Sequence, residues 1–128
     1  VVLPLHPRTR KLIAGNGLDD KLGSVIVADP IPFLDMVALE QAARVILTDS
    51  GGVQKEAFFY GVPCVTMRDE TEWVETVELG WNKVVGAEYE RIIAAVRNLS
   101  IGVMASRPYG DGAATPRIIS AILENCID

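Results

Sequence analysis

Between Val45 and Met67 the chain switches from strand-like to helical spacing and back, and this most constrains its fold. Val45-Ile46-Leu47 is a β-branched apolar run, too short for a helix and suited to a strand buried on both faces. Thr48-Asp49-Ser50-Gly51-Gly52 interrupts it with residues that cap helices and accept unusual backbone angles. Val53 to Tyr60 then carries apolar residues at helical spacing, and Gly61 with Pro63 supplies the stop. Cys64-Val65-Thr66-Met67 is extended again. The result is a βαβ unit whose helix opens on a Ser-Gly-Gly turn.

The same alternation runs along the rest of the chain. Strands are expected at Val1–Leu5, Val25–Ala28, Val45–Leu47, Cys64–Met67 and Asn82–Val85. Helices are expected near Thr9–Ala14, Phe33–Ala43, Val53–Tyr60, Thr71–Leu79, Tyr89–Leu99 and Pro116–Asn125. Asp69 ahead of Glu72 resembles a capping box for the fourth helix, and Thr115 before Pro116 an N-cap for the last. Alternation with short loops predicts an α/β fold, a Rossmann-like doubly wound parallel sheet, over residues 1–128 as one domain. Val1-Val2-Leu3-Pro4-Leu5 reads as a strand already under way without an initiator methionine, which predicts a fragment of something longer.

Composition narrows the function classes. A hydrophobic content of 49% suits a parallel sheet covered on both faces or a surface that meets another domain. A net charge of −5 argues against bulk nucleic-acid binding, although the local cluster Arg8-Thr9-Arg10-Lys11 can still serve a small anion. Cys64 and Cys126 lack metal-ligand spacing, and Cys64 reads as a small buried hydrophobe. No bound metal or cofactor is expected. No apolar run is long enough to span a bilayer, and the chain reads as cytoplasmic.

The chemistry is expected at the strand ends. The first N–H groups of a helix lack intrahelical partners and sit at the positive end of its dipole. Gly51 and Gly52 admit an anion close to that backbone, and the Ser50 hydroxyl adds a donor. That is a phosphate or diphosphate seat, or else simply a capped turn. His6 follows the first strand, Asp29-Pro30 the second, and Arg68 with Glu72 the fourth. In an open parallel sheet these ends share the edge where ligands bind. Each also has a plain structural reading. His6 can be a loop histidine, Arg68 a partner of Asp69 or Glu72, Glu56 a solvated helix carboxylate, and Phe33 and Met36 core. Trp73 and Trp81 read as packing residues.

LPLHPR, DPIPFLDMVALEQAARVILTDSGGVQKEA and GVPCVTMRDETEWVETVELGWNKVVG, with the later PYGDG, together resemble the non-hydrolysing UDP-N-acetylglucosamine 2-epimerase family. The resemblance implies two Rossmann-like domains facing across a cleft, the glycosyltransferase-B plan, with this chain as most of the C-terminal, UDP-binding one. It implies that Ser50, Gly51 and Gly52 hold the UDP diphosphate and that Glu56 accepts hydrogen bonds from the ribose. The Phe33–Met36 segment would flank the uracil, while His6, Arg68, Thr71 and Glu72 line the phosphate and sugar side. Many members carry arginine and proline after that glutamate. Trp73-Val74 here implies a branch acting on a modified sugar such as a diacetamido uronic acid.

The implied reaction inverts the second carbon of the sugar by eliminating UDP to a 2-acetamidoglucal and re-adding it after proton return. Its acid and base carboxylates would come from an N-terminal domain, and a histidine-arginine segment ending the domain's first strand would also lie outside this chain. No catalytic residue is therefore expected here, and the chain alone should not turn over. A homodimer is implied for the full protein. Two other classes fit the same residues: the donor half of a glycosyltransferase of that plan, or a non-catalytic UDP-sugar-binding module.

Overall fold

The computed structural model describes residues 1–103 and 107–125, so Ser106 and Cys126 lie outside the described residues. It divides into two compact units, Val1–Ala43 and Arg44–Asp128.

In the first unit, β1 (Val2–Pro4) and β2 (Ile26–Ala28) pair in parallel, Val2 opposite Ile26 and Pro4 opposite Ala28. The Leu5 N–H extends the ladder to the Ala28 carbonyl at 2.9 Å. The connection is α1 (Pro7–Gly15) followed by a 3₁₀ turn over Asp19–Leu22, which the periodicity did not announce. α1 starts earlier than expected because His6 caps it, its Nδ1 accepting from the Arg8 N–H at 3.2 Å, and Pro7 occupies the position where no N–H is needed. α2 (Phe33–Gln41) follows β2.

In the second unit, β3 (Ile46–Thr48), β4 (Cys64–Thr66) and β5 (Asn82–Val84) form a parallel sheet in that order. α3 (Gly51–Tyr60) connects β3 to β4, α4 (Val74–Glu78) connects β4 to β5, and α5 (Tyr89–Arg97) and α6 (Ala114–Asn125) follow. α3 ends on Gly61, whose φ of +67° is the left-handed conformation that glycine adopts without a Cβ penalty.

The two faces of this sheet differ in chemistry. Side chains alternate along a strand, so neighbours on β4 point oppositely. Val65, fully buried, packs with Val85 and with Ala95, Ile92 and Val96 of α5. Thr66, equally buried, faces a polar cluster instead. Its hydroxyl donates to Asn82 Oδ1 at 2.7 Å, and Asn82 Nδ2 donates to Gln54 Oε1 of α3 and Thr76 Oγ1 of α4, both at 3.2 Å. Helices thus cover both faces, as a doubly wound unit requires, one face aliphatic and the other hydrogen-bonded.

The expected strands all appear, each within one residue at either end, with β3 shifted to Ile46–Thr48. Besides α1, three helix starts are corrected. α3 begins at Gly51 rather than Val53, so both glycines of the expected turn are its first residues. α4 begins at Val74 with Trp73 as N-cap, so Asp69 and Glu72 form no capping box. α6 begins at Ala114, which places Thr115 and Pro116 inside its first turn.

Candidate functional site

In the second unit β3 and β4 run parallel, so the residues following them lie on one edge of the sheet. At that edge the Ser50 N–H donates to Thr48 Oγ1 at 3.0 Å, while its exposed side chain makes no capping bond. The first internal bond of α3 runs from the Gln54 N–H to the Ser50 carbonyl. The amides of Gly51, Gly52 and Val53 therefore precede any intrahelical acceptor, and the Ser50 hydroxyl stands beside them.

The segment after β4 is strapped along this turn. Thr71 Oγ1 donates to Gln54 Oε1 at 2.6 Å and accepts from the Trp73 N–H at 3.0 Å, so its proton is already committed. Trp73 Nε1 donates to the Gly51 carbonyl at 2.7 Å. The Glu72 carboxylate lies against Gly51 so closely that a Cβ there would collide with it. Arg68 Nη1 reaches Glu72 Oε2 at 3.1 Å, an i,i+4 pair in which both side chains are over a third exposed. Such a pair holds little energy and opens readily. Glu56 is half buried in α3 and has no hydrogen-bond or ion-pair partner among the described residues. Ser50, Gly51, Gly52, Arg68, Thr71 and Glu72 are thus brought to one edge.

Trp73, which the sequence left as packing, completes this edge together with Lys55 and Tyr109, to which the sequence assigned no role. Lys55 Nζ lies 4.3 Å from the Trp73 ring centroid and 4.7 Å from that of Tyr109. The Trp73 and Tyr109 rings meet edge to face at 5.8 Å. Tyr109 donates to Glu75 Oε2 at 3.1 Å, and burial first, then that bond and the Glu75 charge, pushes its phenol up to about 12. The available signal was the pairing of Lys55 with Phe59 four residues on, an aromatic-cation spacing on one helix face.

In the first unit, a hollow of about 220 Å³ is lined by Pro4, Leu5, His6, Pro30, Ile31 and Met36. It brings His6 and Met36 together at the end of β1. Phe33 is not in its lining and is 70% exposed. Because His6 Nδ1 accepts from a backbone amide, Nε2 is the nitrogen left to donate outward. Asp29, after β2, pairs with Arg10 at 2.9 Å.

Among the described residues no group of His, Cys, Asp or Glu is arranged to hold a metal ion, and no helix is long and apolar enough to cross a membrane. A sequence profile of the UDP-N-acetylglucosamine 2-epimerase family matches residues 1–123.

This chain belongs to the UDP-N-acetylglucosamine 2-epimerase family. Among the relatives, the UDP-2,3-diacetamido-2,3-dideoxy-D-glucuronate 2-epimerase of Pseudomonas aeruginosa is 54% identical over 121 residues, which cover 92% of this chain and 33% of that protein. The UDP-N-acetylglucosamine 2-epimerase of Methanocaldococcus jannaschii is 42% identical over 123 residues, 93% of this chain and 34% of that protein. The crystal structure of the latter in complex with UDP-GlcNAc and UDP superposes with a TM-score of 0.81 at 39% identity, covering 97% of this chain and 35% of that one. The family chain spans about a third of the length of these relatives. The expected α/β class with parallel sheets and the expected family are both borne out.

Proposed function

We propose that this chain supplies the UDP-binding part of a UDP-sugar 2-epimerase. The carrying observation is the start of α3, where the Gly51, Gly52 and Val53 amides and the Ser50 hydroxyl stand without helix acceptors beside an Arg68 held only by a weak ion pair. Amides at the positive end of a helix dipole favour a diphosphate, and Arg68 can exchange Glu72 for phosphate oxygens at little cost. Glu56, unpaired and half buried, suits the ribose hydroxyls as a hydrogen-bond acceptor. In the first unit, the Phe33–Met36 segment is the proposed flank of the uracil ring, and His6, which shares a hollow with Met36, is assigned to the phosphate and sugar side. Thr71 acts through Gln54 and Trp73, and Glu72 through Arg68.

The relative that acts on a diacetamido glucuronate supports a UDP-acetamido sugar of that class as substrate, as does Trp73-Val74 in place of arginine and proline. The reaction is loss of UDP from the anomeric carbon with the proton at the second carbon, then re-addition after that proton returns to the opposite face. A firm grip on the departing diphosphate is what this chain contributes, while the proton-transfer carboxylates belong to an N-terminal domain. Residues 1–128 form the C-terminal domain of the glycosyltransferase-B plan in this reading, and the complete enzyme is a cytoplasmic homodimer.

Calorimetric titration with UDP tests the assignment. Ser50→Ala and Glu56→Ala should each weaken binding by roughly 1–3 kcal/mol. Wild-type affinity in both variants would discard it.

A further inference from the structure

We propose that Trp73 is a positioning residue for the anion seat at the start of α3, with Lys55 and Tyr109 clamping its indole; this rests on the diphosphate reading above. The Gly51 carbonyl and the Gly52 N–H belong to one planar trans peptide and point in opposite directions. The Gly51 carbonyl already accepts from the Lys55 N–H in the helix ladder, so the 2.7 Å bond from Trp73 Nε1 is a second restraint on that peptide, and with it on the Gly52 N–H, one of the seat's donors. Two successive glycines have wide conformational freedom, so an outside restraint matters here more than at other helix starts. Drawing on the carbonyl also polarises the peptide and strengthens its N–H as a donor.

The indole is itself restrained from three sides. The Trp73 backbone N–H donates to Thr71 Oγ1 at 3.0 Å, the indole ring meets the Tyr109 ring edge to face at 88°, and the Lys55 ammonium lies 4.3 Å from the indole ring centroid. Tyr109 is tethered in turn by its hydroxyl to Glu75. A cation at that distance is attracted by the ring's quadrupole and discourages the indole from swinging out. Packing alone would need the ring but not its N–H, and would serve every ligand equally. Positioning of the Gly52 amide would serve only ligands that carry phosphate.

The experiment titrates the 128-residue chain with UDP by calorimetry and with uridine by NMR, comparing wild type, Trp73→Phe and Lys55→Met. Trp73→Phe keeps an aromatic ring and removes the donor. Lys55→Met keeps the apolar stem and removes the charge. Trp73→Phe should raise the UDP Kd about tenfold and leave the uridine Kd within about twofold, and Lys55→Met should do the same with a smaller factor. In ligand-free spectra the Gly52 amide resonance should move in Trp73→Phe. Equal losses for UDP and uridine, or an unchanged UDP Kd, would overturn the inference. If Trp73→Phe does not fold, the same comparison in Lys55→Met decides. Wild-type binding that Ser50→Ala weakens and Trp73→Phe does not would sink this inference alone. Absence of UDP binding by the wild type would sink the diphosphate reading and the inference with it.

Discussion

The Thr71 hydroxyl donates to the Gln54 side-chain oxygen across 2.6 Å, tying the segment after β4 to the first turn of α3. Gln54 is fully buried and its oxygen also accepts from Asn82 at 3.2 Å. A near-isosteric Gln54→Met leaves two donors, Thr71 Oγ1 and Asn82 Nδ2, short of an acceptor. The expected loss is about 2–4 kcal/mol in urea unfolding, against about 1 kcal/mol for Thr71→Val, which leaves only the part-buried Trp73 N–H short of an acceptor. Similar losses for the two would show that Gln54 is not the hub of this cluster.

Gly51→Ala separates stability from binding. The added Cβ meets the end of the Glu72 side chain, an exposed group that can swing away, and its next neighbour, Trp73 Nε1, lies at 3.5 Å. The melting temperature should change little. The methyl group and the displaced carboxylate should crowd the seat, so the UDP Kd should rise tenfold or more. An unfolded Gly51→Ala, or one with wild-type affinity, contradicts this.

Cys64 should be unreactive in the native state. Burial pushes its thiol up to about 11 from an ordinary 9.0, against the weaker opposing effect of Thr66 at 3.9 Å. In a Cys126→Ser background, a disulfide reagent at neutral pH should label Cys64 only on unfolding. The folded pKa exceeds the unfolded one, so Cys64 contributes stability in full below about pH 9 and loses it as pH rises towards 11. Urea midpoints of this background and of a further Cys64→Ala should converge over that interval.

Acid should loosen the start of α6. Asp111 Oδ1 accepts from the Ala113 N–H at 3.0 Å, and its other oxygen pairs with Arg117 at 2.6 Å. The Ala113 bond first, then Arg117, holds the carboxyl below its ordinary value. A lowered pKa gives stability above the unfolded value that disappears as pH falls through the folded one. Proteolysis between Arg107 and Arg117 should accelerate on acidification, and Asp111→Asn should show that acceleration already at neutral pH.

The strands were legible because short apolar runs such as Val45-Ile46-Leu47 stop at polar or turn-forming residues, but the burial on both faces expected of that run is met by β4 and not by β3, where Leu47 is 41% exposed. The helix start at Ser50 was legible too, but Gly51 and Gly52 are the first two residues of α3 and neither has a positive φ, so the unusual backbone angles expected there are not used. Asp69 and Glu72 misled because local spacing mimics a capping box while tertiary bonds of Thr71 and Trp73 hold that segment outside any helix, against α3. The Gln54, Thr66, Thr76 and Asn82 cluster was invisible for the opposite reason. Its members come from four elements, and no local pattern links a glutamine in one helix to an asparagine 28 positions later. Trp73 looked like packing because a ring declares its area in sequence, whereas the destination of its N–H is decided by the fold.

The unlike faces of the central strand make misalignment self-revealing. Sliding β4 by a single position would thrust Val65 among amides and hydroxyls that need partners and drop the Thr66 hydroxyl into grease beneath α5. Shape-based packing alone would punish that shift mildly, since valine and threonine have nearly the same outline. Here the chemistry of the two layers acts as a key, so only one alignment of the three strands closes.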